Sequence, residues 1–240
     1  MNRLAGGTRF KLNLSSVERA ADVLYPPRMY RRSWTHAELL AIFPNEAIDV
    51  LDVGAGRAPF RTRPHDRLVT VDFDEGAGAS LVLDITEDWP FAKQSFDFIY
   101  MSHVVEHLYP HDRDELIRNV YRSLREGCLA FIRVPHRSSM QSTGWEHHTF
   151  YGLNGATSLS HGLNPKLPLL RAVSAGVATT IDFYARRSLA RAAVERALNR
   201  SWRLTETVLC HVVGGIAEVQ FLLQRMDNAT ETTVRESGRW

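Results

Sequence analysis

The apolar residues of this chain change their periodicity near residue 46. Before that point they fall at helical spacing. "SSVERAADVLYPP" (15–27) opens on serine, carries Glu18 in its first turn and stops at Pro26-Pro27, which predicts a helix. "THAELLAIF" (35–43) predicts a second helix, ended by Pro44. Beyond residue 46 come five short runs: "IDVLDVG" (48–54), "LVTVD" (68–72), "LVLDI" (81–85), "FDFIYMS" (96–102) and "CLAFIRVP" (128–135). Their apolar residues are successive rather than alternating, as in strands buried on both faces. Between the last two runs, "PHDRDELIRNVYRSLREG" sets Leu116, Ile117, Val120, Tyr121 and Leu124 on one helical face, with Gly127 as a stop. Strands alternating with crossovers predict a parallel α/β sheet.

The later sequence is more mixed. Residues 136–180 are rich in Ser, Gly, His and Pro and too long for an ordinary connection, which predicts a lid or acceptor-binding insertion. Residues 186–200 read as a helix. "TETVLCHVV" (205–213) and "IAEVQFLLQR" (216–225) read as two strands of an antiparallel hairpin across Gly214-Gly215. The expected organisation is an N-terminal helical segment over 1–45, one α/β domain over 46–227 carrying that insertion, and a flexible tail over 228–240.

Composition narrows the class little. Of 240 residues, 44% are hydrophobic and 23% charged, and the net charge is +2, so there is no broad bias toward nucleic acid or anionic lipid. Cys128 and Cys210 stand far apart in apolar runs and read as buried thiols of a reducing compartment. The N-terminus lacks the apolar core of a signal peptide, and no run reaches membrane-span length; the expected location is the cytoplasm.

The candidate chemistry sits at strand ends. In "VLDVGAGRA" a strand enters the turn Gly54-Ala55-Gly56, where the backbone bends tightly and a ligand can approach. Asp52, just before the turn, would repel a pyrophosphate and suits an ammonium group. Asp72 ends the next strand, where a carboxylate can accept both ribose hydroxyls. Asp84 ends the third, where one can accept from an exocyclic amine. Ammonium, ribose and adenine together describe S-adenosylmethionine better than NAD.

With these residues in view, the chain resembles the class I S-adenosylmethionine-dependent methyltransferases, in the type 11-like branch. "LDVGAGRAPFR", "VTVDFDE", "LVLDITEDWPFAKQSFDFIYMSHVVEHL" and "LREGCLAFIRVP" follow in the family's order over about residues 46–135. The resemblance implies a Rossmann-like, doubly wound, mainly parallel seven-stranded sheet. It implies that Asp52 and the Gly54, Ala55 and Gly56 backbone hold the methionine moiety. Asp72 would hold the ribose with Phe73 packed on it, Asp84 and Ile85 would border adenine, and Ser102 and His103 would line the donor-methyl site. It implies methyl transfer to an oxygen or nitrogen of a small acceptor, a sugar or secondary metabolite. Neither nucleic acid nor membrane is an expected partner, and the oligomeric state is left open. Ala58 replaces the family's third glycine, and Pro59 and Pro64 shorten the first crossover.

The irregular stretch after the fifth run faces the acceptor in the resembled fold, so His136, His147 and His148 are candidate catalytic bases. "SHVVEHL" (102–108) contains H-x-x-E-H, a zinc-peptidase signature. That reading requires both histidines on one helix, whereas His103 directly follows a strand run. Some methyltransferases, among them small-RNA 2′-O-methyltransferases, carry E-x-x-E-H here and bind a divalent ion. The alternative reading is therefore a metal-assisted RNA methyltransferase with His103, Glu106, His107 and one of His147 or His148 as ligands. A non-catalytic scaffold that retains the fold is a further rival. The expectation is a metal-free site, with S-adenosylmethionine as the cofactor.

Overall fold

The computed structural model describes residues 30–31, 33–153, 155, 159, 170–178, 189–200, 205–206 and 216–225. The helix expected over 15–27, Cys210 and the expected tail lie outside them. The described residues form β1 (Tyr30–Arg31), α1 (His36–Leu40), β2 (Asp49–Val53), β3 (Arg67–Asp72), β4 (Leu81–Val82), β5 (Phe96–Ser102), α2 (Pro110–Ser123), β6 (Leu124–Pro135), β7 (Leu170–Ala178), α3 (Leu189–Arg200) and β8 (Glu218–Arg225).

One sheet of eight strands runs in the order β1-β7-β8-β6-β5-β2-β3-β4. β8 is antiparallel to both neighbours, β6 and β7; every other pair is parallel. This is the doubly wound, mainly parallel sheet that was expected, with the two-residue β1 added at one edge. The chain steps outward from β2 to β3 and β4, then returns to the other side of β2 as β5. Val53 and Met101 are thus paired at the carboxyl ends of β2 and β5. Such a reversal of strand order opens a crevice at those ends, where ligands bind in open α/β sheets.

The unbroken burial of β2 and the near-complete burial of β5 explain their apolar runs. The charges within β2 are handled at its two ends. Asp49, at the start, lies between the guanidinium groups of Arg67 and Arg125, at 2.5 and 2.8 Å. Asp52, near the end, has no such partner among the described residues. α1 starts at a capping box between Thr35 and Glu38. It stops after five residues, shorter than the run 35–43 predicted, and continues as turn through Phe43.

Three further expectations are corrected. Gly127 does not end α2: the helix stops at Ser123 and β6 begins at Leu124. Gly127, at φ 72°, lies where β6 shifts register against Phe96 and Phe98. The third apolar run is a strand only at Leu81–Val82, an exposed edge. The antiparallel partner preceding β8 is not 205–213. Both edges of β8 are filled by β6 and β7, and β7 comes from the stretch predicted as a lid. Thr205 and Glu206 are helical, and 207–213 lie outside the described residues.

No helix forms between β2 and β3; Pro59 and Pro64 break that segment. It is held instead by Phe60, 1% exposed, whose ring lies 4.6 Å from that of Tyr100 and 5.5 Å from that of Phe98. Phe60→Ala removes this anchor and is expected to cost about 3–5 kcal/mol, read by chemical denaturation. A loss below about 1 kcal/mol would contradict the anchoring role.

Candidate functional site at the carboxyl ends of β2, β3 and β5

The turn after β2 is fixed by backbone bonds to β3. The amides of Gly54 and Ala55 both donate to the Val71 carbonyl, at 2.9 and 3.1 Å. Gly54 and Gly56 take φ of 68° and 53°, in the left-handed region. Their surroundings differ. A Cβ on Gly54 would fall 2.3 Å from Val104 Cγ2, so Gly54 lets the turn after β5 pack against it. A Cβ on Gly56 would meet nothing within 4 Å, so that position borders open space.

Asp52 is 2% exposed and accepts the Phe60 amide at Oδ2, 2.7 Å. Burial pushes its pKa up to about 7; the Phe60 amide opposes this, and the nearby Asp72 carboxylate adds to it. Asp72, also buried, accepts from the amides of Gly56 (2.8 Å, Oδ2) and Asp74 (3.0 Å, Oδ1). A carboxylate has about four acceptor sites, so two are left. Phe73 is 82% exposed. Asp84 is exposed and accepts both the amide and the hydroxyl of Thr86 at Oδ1, which lower its pKa. Ile85 packs on the core and gives its carbonyl to Trp89 Nε1.

A cavity of about 200 Å³ opens here. Asp52, Gly54, Ala55 and Ala58 line one side. Tyr100, Ser102 and Arg133 line the other. Ser102 and Arg133 are register partners on β5 and β6, and Arg133 Nε donates to Ser102 Oγ at 2.9 Å. Behind them is an ionic cluster. His103, at φ 57°, places Nδ1 3.3 Å from Glu106 Oε1 and Nε2 3.3 Å from Glu218 Oε1. Arg133 Nε lies 3.7 Å from the same Glu218 oxygen. Burial disfavours a charged His103, but the two carboxylates outweigh it and raise its pKa to about 9.

The three candidate bases lie in different settings. His136 is fully buried, with Nδ1 2.8 Å from Ser138 Oγ and Nε2 3.4 Å from Glu206 Oε1. Burial raises the Glu206 pKa, but His136, the Leu153 amide and Arg137 bring it below the ordinary value. His147 is half-buried, its ring edge-on to that of His107 at 4.7 Å. His148 is exposed and stacks on Tyr109 at 4.0 Å. Of the aromatic residues nearby, Trp145 and Phe150 are exposed and Tyr151 is buried.

Tyr100, Arg133 and Glu218 were missed in the sequence. The available signal was a charge inside an apolar strand: Arg133 in "FIRVP" and Glu218 in "AEVQF". Such a residue requires a buried partner.

The family model described as a methyltransferase domain matches residues 28–199. The chain belongs to this family: it is a class I methyltransferase that uses S-adenosylmethionine. A search of curated proteins finds no match. Solved structures share the fold at low identity. A S-adenosylmethionine-dependent methyltransferase from Archaeoglobus fulgidus has 18% identity and a TM-score of 0.53, covering 75% of this chain and 86% of that one. The [4+2]-cyclase SpnF has 12% identity and a TM-score of 0.51, covering 90% and 92%. Geranyl diphosphate C-methyltransferase from Streptomyces coelicolor, solved with Mg2+, geranyl diphosphate and S-adenosylhomocysteine, has 14% identity and a TM-score of 0.50, covering 79% and 78%. Among the described residues no helix is long and apolar enough to cross a membrane.

Because its folded pKa is raised, Asp52 binds a proton that the unfolded chain has already released. The ligand-free protein therefore loses stability as pH rises from the ordinary carboxylate range through about 7. Asp52→Asn is expected to remove that part of the slope, so the denaturation curves of the two proteins diverge between pH 5 and 8. Parallel curves would contradict it.

Proposed function

We propose that this methyltransferase alkylates an oxygen or nitrogen of a small acceptor, a sugar or secondary metabolite, at the cavity beside Ser102. The observation that carries this reading is the loop bearing His147 and His148. It is strapped to the turn after β5 by the amides of His148 and Thr149, which donate to the Glu106 carbonyl at 2.8 and 3.1 Å. The loop that carries both imidazoles is therefore packed on the turn that follows Ser102. A small acceptor is in keeping with the Streptomyces enzyme of this fold that is named for geranyl diphosphate.

The cavity suits the donor chemically. Among the described residues Asp52 is a buried carboxylate with no cation beside it, and an ammonium group would complement it. Gly56 leaves open the space that a side chain would fill. Asp72 would offer its two remaining acceptor sites to ribose hydroxyls, with the exposed Phe73 free to cover them, and Asp84 and Ile85 would border the adenine. When bound, S-adenosylmethionine supplies a methyl group already activated on a sulfonium. Ser102, with His103 behind it, would stand at the end of the pocket nearest that methyl. The protein's task is to align donor and acceptor and to keep water out. An acceptor hydroxyl or ammonium also has to lose a proton, and His147 and His148, on the loop strapped to the turn after β5, are the candidate bases. His136, with both ring nitrogens engaged and no exposure, braces the end of β6 against Glu206 instead.

Asp72→Ala is expected to weaken S-adenosylhomocysteine binding about tenfold or more by calorimetry, through loss of charge-assisted hydrogen bonds, while circular dichroism stays unchanged. Unchanged affinity in the folded variant would defeat the assignment of the ribose site. The acceptor class is tested by supplying methyl-labelled donor to panels of small hydroxyl and amine compounds and to RNA. Label on a small-molecule oxygen or nitrogen is expected. Label only on RNA, or on carbon, would overturn the proposal.

A further inference from the structure

We propose that Glu106, His107 and His147 form a binding site for one divalent transition ion of the zinc class. Each offers a ligand atom, and these atoms all lie within 4.8 Å of one another. Two segments 40 residues apart meet to make this arrangement. Val105–His107 is a single 3-10 turn after β5. The loop from Gly144 to Thr149 folds back on it through the two amide bonds to Glu106 and through Thr149 Oγ1, which donates to the Val105 carbonyl at 3.2 Å. The amide of His147 is held in turn by the Gly144 carbonyl at 3.1 Å. The site is thus set by backbone bonds and does not depend on the ion for its assembly.

Glu106 is the second observation. It is 1% exposed, and neither carboxylate oxygen makes a hydrogen bond. Its ionic contact is His103, 3.3 Å from Oε1. A buried carboxylate normally fills its acceptor sites with donors or with a metal. Among the described residues that one contact leaves Glu106 short of partners, and a bound cation would supply the missing one.

The histidines have the settings of ligands. His107 Nδ1 lies 3.3 Å from the Glu146 carbonyl. A carbonyl only accepts, so Nδ1 carries the proton and Nε2 the lone pair. Metal-bound histidines are commonly oriented in this way by an outer hydrogen bond. The His107 and His147 rings meet at 74°, edge to face. Two imidazoles and one carboxylate favour zinc, cobalt, nickel or iron(II) over magnesium, which prefers oxygen.

The expectation of a metal-free site rested on position: His103 ends a strand, while Glu106 and His107 begin the next helix and serve its start locally. In the structure His103 is a bridge between Glu106 and Glu218, and the loop supplies His147 in its place. Three protein ligands leave a fourth position for water or for a donor atom of the acceptor. Within the proposed function this makes His147 a ligand and leaves His148 as the base; the ion site itself stands without that reading.

The test uses the full chain, stripped with chelator and titrated with Co2+ by visible absorption and with Zn2+ by calorimetry. One ion per chain is expected. His107→Gln, His147→Gln and Glu106→Gln should each weaken it by more than about a hundredfold, since losing an outer partner alone costs 10–100-fold. His65→Ala, on a histidine outside the cluster, should leave it unchanged. Retained S-adenosylhomocysteine binding shows that each variant is folded and separates failure of the ion site from failure of the donor site. Absence of stoichiometric binding, or binding undiminished in folded His107→Gln and His147→Gln, would overturn the proposal.

Discussion

The structure turns on a buried carboxylate that has no cation beside it among the described residues. β2 lies inside the sheet between β5 and β3, covered along its whole length, and still carries two aspartates. The first is neutralised by two arginines. The second, Asp52, has the Phe60 amide and a pKa pushed up to about 7. An uncompensated carboxylate in such a place is costly. It persists because the crevice at the strand ends is built around it. The Gly54–Gly56 turn starts two residues later, Asp72 ties that turn to β3, and Phe60 closes the crossover over Asp52. In the proposed reading the donor's ammonium is its counter-charge, which would link the strain of the free protein to the cofactor that its family uses.

A second set of buried charges lies behind Ser102, on the side proposed for the acceptor, and it is balanced differently. His103, Glu106, Glu218 and Arg133 join the ends of β5, β6 and β8 and the turn after β5. His103 adopts the left-handed backbone that a bulky residue usually avoids, and its two ion pairs hold it there. The cluster fixes Arg133, which in turn holds Ser102 at the edge of the cavity. In the proposed reading the two sides rest on opposite electrostatic designs: among the described residues Asp52 has no cation beside it, while His103 and Arg133 pair with Glu106 and Glu218.

The first design was legible in the sequence, and much of the second was not. Asp52, the glycine turn and Asp72 lie within 21 residues and in a fixed order, so strand periodicity placed them at neighbouring strand ends. The second depends on distant pairings. Glu218 reaches His103 across 115 residues, and only because β8 inserts antiparallel between β6 and β7. β7 itself was read as lid, since "LRAVSAGVA" is too small and polar to announce a buried strand. His147 reaches His107 because a loop folds back through backbone bonds, which carry no side-chain signature. Gly127 misled for a related reason: a left-handed glycine serves a helix stop and a strand bulge equally well.

The central claim is that Asp52 is built to meet the donor's ammonium group. Calorimetry of S-adenosylhomocysteine binding across pH 6–8, in buffers of differing ionisation enthalpy, tests it most directly. The account predicts that binding releases a proton below pH 7, that affinity rises as pH rises through that range, and that Asp52→Asn abolishes both effects. Binding without proton release, at an affinity independent of pH, would contradict it.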